Sequence, residues 1–209
     1  AIDCYRRAVE IIPRSPVLHS NLVYALNFAP GYHAPAIFEE HLQWARQHAA
    51  PLAASIPPLE VDRNPDRRLR IGYVSPNFRE HAVGFFCEPI FESHDRLACE
   101  IIAYSDAARG DAATARLRDH ADRWHDTHRL SDEQLAQQIR QDQVDVLVDL
   151  SGHLANHRLL VFARKPAPVQ VTYLGYPNTT GLSTIDYRLT DDYADPPGTT
   201  EPYYTERLI

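Results

Sequence analysis

The sequence predicts an α/β protein in which helices over residues 1–50 precede a Rossmann-like lobe over residues 69–209. Apolar residues recur at helical spacing up to residue 50, whereas after Leu69 short β-rich runs alternate with helical stretches of roughly ten residues. The segment between them, residues 51–68, contains four prolines and predicts a linker. Alternation of strands and helices is typical of a parallel sheet.

Three short helices are expected before the linker. The first ends at Pro13, Pro16 opens the second, and residues 34–50 form the third. Helices of this length with short turns pack as antiparallel pairs. The segment AIDCYRRAVEIIPRSP resembles the second helix of a tetratricopeptide repeat, with its small residue, aromatic residue and closing proline. An ordinary helical hairpin is the alternative interpretation.

Six strands are expected after the linker. The run VDVLVDLSG is continuously apolar, as in a strand covered on both faces. In such sheets ligands bind beyond the carboxyl ends of the strands, so the loops after Val74, Tyr104, Leu150 and Leu174 are the candidate sites. The expected strands are residues 68–75, 99–105, 123–127, 144–152, 168–177 and 185–191.

Composition excludes several classes of protein. The net charge is −7 over 209 residues, without the basic stripe of a nucleic-acid-binding protein. No apolar run reaches about 18 residues, so no transmembrane helix is predicted. Three widely spaced cysteines without a CxxC motif predict free thiols in a reducing compartment, the cytoplasm. Neither end carries a recognisable signal, so a longer chain is expected.

His81 is the first candidate for chemistry. It lies in the stretch SPNFREHAVGFF, between the first strand and the next helix. An imidazole beyond the carboxyl end of a strand faces the ligand crevice and can accept or donate a proton near neutral pH. A surface or helix-capping histidine is the alternative interpretation.

The stretch GYPNTTG, residues 175–181, is the second candidate. Its glycines let the backbone approach a polar ligand closely, and its N–H groups and hydroxyls offer donors. It lacks the Gly-Lys-Ser/Thr of a Walker loop and does not match GxGxxG. From the residues alone, a tight turn and a sugar or phosphate site are equally compatible with it.

A third polar group, Asp149, Ser151 and His153, follows the fourth strand. A serine hydrolase would need a GxSxG elbow, which is missing. A metal site would use Asp149 with His153 and His157, but the glutamate of an HExxH motif is missing. We therefore expect structural polarity in this loop and no metal.

Three stretches together resemble a known family: RLRIGYVSPNFREHAVGFF, VDVLVDLSGH and ARKPAPVQVTYLGYPNTTGLSTIDYRLTD. They are similar to the N-terminal catalytic lobe of the O-linked N-acetylglucosamine transferases and their SPINDLY-like relatives. The string APVQ…LGYP…TG…DY is the most specific part. With the tetratricopeptide-like helices, the resemblance covers about residues 1–209 and is to bacterial-type members with a short linker.

The resemblance implies a GT-B arrangement of two Rossmann-like lobes, of which residues 69–209 are the N-terminal one. It implies inverting transfer of N-acetylglucosamine from UDP-N-acetylglucosamine to Ser or Thr hydroxyls of proteins, without a metal or other cofactor. The helical repeats are expected to guide the acceptor polypeptide. The second lobe, which in the family holds most UDP contacts, is not in this sequence, so the chain alone is expected to bind nucleotide weakly.

The resemblance also assigns residues. His81 corresponds to the family's histidine at the catalytic cleft, and His19 resembles a second histidine that projects from the last repeat toward the substrates. Asn77 lies in the same loop as His81 and is expected to contact substrate. The residues that match or continue the loop lining the donor sugar are Leu174, Gly175, Tyr176, Pro177, Thr179, Thr180 and Gly181.

Two positions depart from the family pattern. Asn77 stands where the vertebrate-type motif has an aspartate, so it can orient a substrate but cannot act as a base. Ala82 stands where that motif has a proline. Two alternatives therefore remain open: a tetratricopeptide scaffold or binding protein with a degenerate catalytic lobe, and a SPINDLY-like protein O-fucosyltransferase that uses GDP-fucose.

Overall fold

The computed structural model describes residues 1–54, 56–64 and 66–209. The three expected helices are present, and the third continues through a π-helical turn, Ala45–Ala49, into a short fourth helix. Ser15 caps the second helix by accepting from the Leu18 N–H at 3.3 Å, and Pro16 occupies its first turn. The bounds are α1 (Ile2–Ile11), α2 (Pro16–Leu26), α3 (Ala34–Trp44) and α4 (Ala50–Ala53).

One boundary differs from the prediction, because residues 51–53 of the expected linker are helical. Pro51 lies in the first turn of α4, directly after the π-helical turn. The segment that joins the helices to the sheet is therefore shorter than expected. None of the helices among the described residues is long and apolar enough to cross a membrane.

The lobe is a parallel sheet of seven strands within the described residues, in the order β3-β2-β1-β4-β5-β6-β7. All six predicted strands are present, and β7 adds a two-residue edge strand that no periodicity could predict. The bounds are β1 (Leu69–Ser75), α5 (Ala82–Ser93), β2 (Cys99–Ser105), α6 (Ala112–Asp119), β3 (Arg123–Asp126), α7 (Asp132–Gln141), β4 (Val146–Asp149), α8 (Leu159–Phe162), β5 (Val169–Thr172), β6 (Tyr187–Arg188) and β7 (Arg207–Leu208).

This strand order contains a topological switch point between β1 and β4. From β1 the chain adds β2 and β3 on one side, and then returns to place β4 on the other side of β1. A crevice opens at the carboxyl ends of strands where the direction reverses, and ligands of such sheets bind there. The loops that border this crevice are residues 76–81 and 150–158.

The helices and the sheet share one hydrophobic core. Val74 and Leu147 on one face of the sheet belong to the same buried cluster as Val23 of α2 and Trp44 of α3. Alternate residues such as Tyr73 point to the other face, where they pack under α5 and α6. The buried face of α2–α3 therefore holds these helices against the lobe, next to its carboxyl edge.

Candidate active site

His81 lies at the switch point as the N-cap residue of α5. Its backbone is extended, and its Nδ1 accepts from the Val83 N–H at 3.2 Å. Because Nδ1 accepts, the proton of the neutral ring lies on Nε2, which remains a donor. Partial burial, with Arg79 nearby, lowers the pKa of His81, so the ring is neutral near pH 7. As placed, His81 has Nε2–H available as a donor; to act as a base at Nε2 it would have to give up the cap.

The loop that carries His81 is rigidly packed. The Asn77 N–H donates to Ser75 Oγ at 3.0 Å, and the Arg79 N–H donates to the Asn77 carbonyl at 2.8 Å. Gly84 lies against this turn so closely that a Cβ would be 2.2 Å from the Arg79 carbonyl oxygen. Asn77 is buried and holds the turn through its backbone. Such packing keeps His81 in one orientation.

The sugar loop, defined as residues 174–181, follows β5. Leu174 adopts a left-handed backbone (φ 67°), which costs about 1–3 kcal/mol and is concentrated at ligand sites. A Cβ on Gly175 would lie 1.9 Å from the Leu150 carbonyl oxygen, so this loop presses directly on the end of β4. Leu174 and Gly175 are half-buried and Pro177 is exposed. This part of the loop is open to a ligand.

The other side chains of the sugar loop are buried and already bonded. The Thr179 hydroxyl donates to Glu206 Oε2 at 2.6 Å, and the Thr180 N–H donates to Glu206 Oε1 at 2.7 Å. The Thr180 hydroxyl also bonds to Glu206. In the structure these hydroxyls bond to the protein itself, and substrate binding by Thr179 and Thr180 stays a prediction. Gly181 (φ 76°) packs against the backbone of His41, and Tyr176 is only 2% exposed.

The His81 loop and the sugar loop lie on the same edge of the sheet. β1 and β5 both pair with β4, and all three run parallel. With neighbouring strands about 4.8 Å apart, the ends of β1 and β5 are separated by about 10 Å. The binding roles of the residues in both loops remain predictions.

His19 does not project freely toward this crevice. It is 2% exposed, its Nε2 lies 3.0 Å from Glu40 Oε1, and its Nδ1 lies 3.1 Å from His48 Nε2. The hydrogen bond from His19 lowers the pKa of Glu40. Both ring nitrogens are occupied, so the expectation of an imidazole aimed at substrate is corrected to one held within the packed helices.

The polar group after β4 is structural. Asp149 accepts from the Gly152 N–H and the Thr172 hydroxyl, both at 2.8 Å, and burial raises its pKa. Ser151 Oγ is buried and has no hydrogen-bond partner among the described residues, so no histidine activates it. His153 and His157 hydrogen-bond through every ring nitrogen to protein groups, which leaves none for a metal.

Two supports of the sugar loop escaped the sequence analysis. Glu206 anchors the threonines from beyond the last predicted strand. Arg188, in β6, donates from Nη1 to the carbonyls of Tyr176 (3.0 Å) and Asn178 (3.1 Å). The charge of Arg188 inside the predicted strand IDYRLTD indicated a buried polar partner. No pattern in the sequence around Glu206 indicated that it supports this loop.

Comparison with known proteins places the chain in a family. The sequence profile of glycosyl transferase family 41 matches residues 45–209. A probable UDP-N-acetylglucosamine–peptide N-acetylglucosaminyltransferase SPINDLY from Oryza sativa subsp. japonica is 37% identical over 98% of this chain. A UDP-N-acetylglucosamine–peptide N-acetylglucosaminyltransferase from Caenorhabditis elegans is 29% identical over 92%. Both confirm the resemblance seen in the motifs.

Among solved structures, a single-site mutant of the Thermobaculum terrenum O-GlcNAc transferase matches the whole chain with a TM-score of 0.94 and 48% identity. The chain spans 22% of the length of the rice relative and 40% of the Thermobaculum terrenum chain. The match confirms the predicted Rossmann-like catalytic lobe. The chain belongs to glycosyl transferase family 41.

Proposed function

We propose that this lobe is part of an enzyme that transfers N-acetylglucosamine from UDP-N-acetylglucosamine to Ser or Thr hydroxyls of proteins, with inversion at the anomeric carbon. One observation supports it most directly: a neutral imidazole and a close-packed glycine loop lie on the same edge of the sheet at its switch point. The rice and Caenorhabditis elegans relatives are named as UDP-N-acetylglucosamine–peptide N-acetylglucosaminyltransferases, and they support transfer of this sugar to protein.

In this proposal the lobe orients the reactants. The acceptor hydroxyl attacks the anomeric carbon from the face opposite UDP as the bond from that carbon to the diphosphate oxygen breaks. Negative charge develops on the leaving diphosphate, and the hydroxyl proton passes to water or to that diphosphate. His81 Nε2–H donates to an oxygen of donor or acceptor, while Leu174, Gly175 and Pro177 shape the sugar pocket. Positioned donors stabilise developing charge, and those for the diphosphate come from outside this chain. We propose no metal or other cofactor, so transfer should persist in EDTA.

The helices are proposed to bind the acceptor polypeptide as part of a longer array of repeats. Ile11, Ile12 and Val17 are exposed on α1 and α2, and a neighbouring repeat would cover such a surface.

The cysteines Cys4, Cys87 and Cys99 are unpaired. Free thiols support the proposed cytoplasmic location.

The test is sugar transfer by the intact protein. We expect label from UDP-N-acetylglucosamine on Ser or Thr of an acceptor protein, and none from GDP-fucose. Transfer from GDP-fucose instead would assign the SPINDLY-like alternative suggested by the motifs. Neither transfer nor hydrolysis with either donor would favour a scaffold with a degenerate lobe.

A further inference from the structure

Two hydrogen-bonded chains connect helices α2 and α3 to the sugar loop. Their members lie far apart in sequence, and they reach the loop at three successive alternate positions, Tyr176, Asn178 and Thr180. This pattern concerns the loop proposed to hold the donor sugar, and the inference drawn from it rests on the proposed function.

The first chain passes through the Tyr176 hydroxyl. Asn27 Nδ2 donates to this hydroxyl at 2.8 Å, and the hydroxyl lies 2.9 Å from His41 Nε2. His41 Nδ1 lies 2.7 Å from the Ile37 carbonyl, which can only accept, so Nδ1 carries the ring proton. Burial lowers the pKa of His41 to about 4 and raises that of Tyr176. The ring is therefore neutral, and Tyr176 donates to Nε2.

Asn27 holds a second position of the same loop. Its Oδ1 accepts from Asn178 Nδ2 at 2.9 Å, and Asn178 Oδ1 accepts from the Thr179 N–H at 2.8 Å. A side-chain amide has one donor end and one acceptor end. Both ends of Asn27 form these bonds, so only one orientation of its amide group satisfies them. The residue after the last turn of α2 thus fixes two residues of the sugar loop.

The second chain begins in the lobe and passes through α2. His157 Nδ1 accepts from the Leu159 N–H at 3.3 Å, so its Nε2–H donates to Ser20 Oγ at 2.8 Å. Ser20 lies 3.1 Å from His153 Nδ1 and donates to it. His153 Nε2–H then donates to the Thr180 carbonyl at 2.9 Å. Every ring in this chain is neutral and each has one allowed tautomer.

These chains allow one arrangement of the loop relative to the helices. Tyr176, His41, Ser20 and His153 are all at most 2% exposed, so water cannot replace a lost partner. A shift of the sugar loop would leave several buried donors and acceptors unpaired at once. The helices are thereby part of the support of the catalytic crevice, in addition to any role in guiding the acceptor.

We propose that α2 and α3 position the donor-sugar loop, with Asn27 and His41 as positioning residues that act through Tyr176. Neither residue needs to touch the substrate. The proposal predicts a specific kinetic pattern: loosening these contacts displaces the loop that faces the hexose, while UDP contacts made elsewhere remain intact.

The experiment uses the intact protein and three variants. His41→Leu removes the acceptor for Tyr176, and His41→Gln restores an acceptor oxygen near the position of Nε2. Tyr104→Phe is the matched control, because it removes one hydroxyl from another buried tyrosine, whose donation to Asp142 at 2.7 Å lies away from the sugar loop. The measurements are kcat and KM for UDP-N-acetylglucosamine, KM for the acceptor, Kd for UDP, and amide hydrogen exchange of residues 174–181.

For His41→Leu we expect kcat/KM for the sugar donor to fall by about tenfold to a hundredfold, since small displacements of positioning groups have effects of this size. Kd for UDP and KM for the acceptor should change by less than about twofold, and exchange should accelerate in residues 174–181. His41→Gln should recover most of the loss in kcat/KM. Tyr104→Phe should leave the kinetic constants, the Kd for UDP and the exchange rates near those of the wild type.

Unchanged donor kinetics in His41→Leu would overturn the proposal. An equal weakening of UDP, sugar donor and acceptor would also overturn it, because that pattern indicates general destabilisation. A wild-type protein that transfers no sugar from UDP-N-acetylglucosamine would refute the proposed function instead. Hydrogen exchange would then still report whether His41 restrains the loop.

Discussion

The two loops at the carboxyl edge of the sheet are held by different kinds of contact. The loop of residues 76–81 is held by its own segment, with the Asn77 N–H on Ser75 and His81 capping its own helix. It is also held by the start of α6, where Asp111 accepts from the Glu80 N–H and the Thr114 hydroxyl donates to the Phe78 carbonyl, both at 2.7 Å. The sugar loop is held by distant residues, with partners up to 151 positions away along the chain. The first loop therefore depends on its own segment and on the next helix of the lobe, whereas the second depends on the packing of α2 and α3 against the lobe.

The largest expected effect concerns the loop that carries His81. His81→Ala should lower kcat of the intact enzyme by about 10²–10⁴-fold, the usual contribution of a positioned proton-transferring or orienting group. Alanine also removes the α5 cap, which contributes about 1 kcal/mol.

His81→Asn separates these two roles. Asparagine can still accept from the Val83 N–H, so unfolding should remain near wild type by urea titration while kcat falls as far as in the alanine variant. A kcat within about threefold of wild type for His81→Asn would remove Nε2 from the reaction.

The next effect tests the contact between the sugar loop and β4. Gly175→Ala places a Cβ 1.9 Å from the Leu150 carbonyl oxygen, a backbone atom that cannot move aside. We expect a loss of about 3 kcal/mol in the free energy of unfolding of the 209-residue chain, at the upper end for overpacking. Gly198→Ala is the control, because a Cβ there meets nothing within 4 Å and only its left-handed backbone (φ 80°) is strained. It should cost about 1 kcal/mol. Similar losses in both variants would contradict the close approach.

A smaller effect tests the anchor beneath the loop. Glu206→Gln replaces one accepting oxygen with an N–H₂ group, so a buried hydroxyl or N–H of Thr179 or Thr180 loses its acceptor. The expected cost is about 1–3 kcal/mol in urea unfolding. Glu201→Gln, an exposed residue that accepts from the Gly198 N–H at 2.7 Å, should cost less than about 0.5 kcal/mol. Equal costs would show that Glu206 does not anchor the loop.

The last effect is a dependence of stability on pH. His41 is held neutral with a folded pKa of about 4, against 6.5 in the unfolded chain. Between these values the unfolded state binds the extra proton, so stability falls as pH decreases, by about 1.4 kcal/mol per pH unit for this residue. Burial lowers the pKa of His153 in the same sense.

The measurement is urea unfolding from pH 7 to pH 4.5 at constant ionic strength. The slope should decrease in His41→Gln, which has no titrating ring. An identical slope in the variant would show that His41 is protonated in the folded state and would contradict the assigned tautomer.

Much of the lobe was predictable because its signals are local. The runs RLRIGYVS and CEIIAYS are apolar and β-rich, and the helices between strands show capping residues such as Ser131, which accepts from the Gln134 N–H at 3.2 Å. The position of His81 after the first strand followed from the same alternation. These features depend on residues within about ten positions of one another.

The partners of polar side chains were not predictable in this way. The stretch GYPNTTG has the composition of an open loop, and only Glu206 and Arg188 show that its threonines and carbonyls face the protein interior. His19 was expected to face substrate because its position matched a motif, and it is buried because Glu40 and His48 pack over it.

The sequence by itself determined the parallel α/β architecture, the strand that precedes His81 and the family motifs, because periodicity and short-range capping are encoded within single segments. Only the tertiary structure decided which groups of the sugar loop are free. That outcome depends on hydrogen bonds to residues between 10 and 151 positions away, and a donor or acceptor in the sequence does not specify its partner.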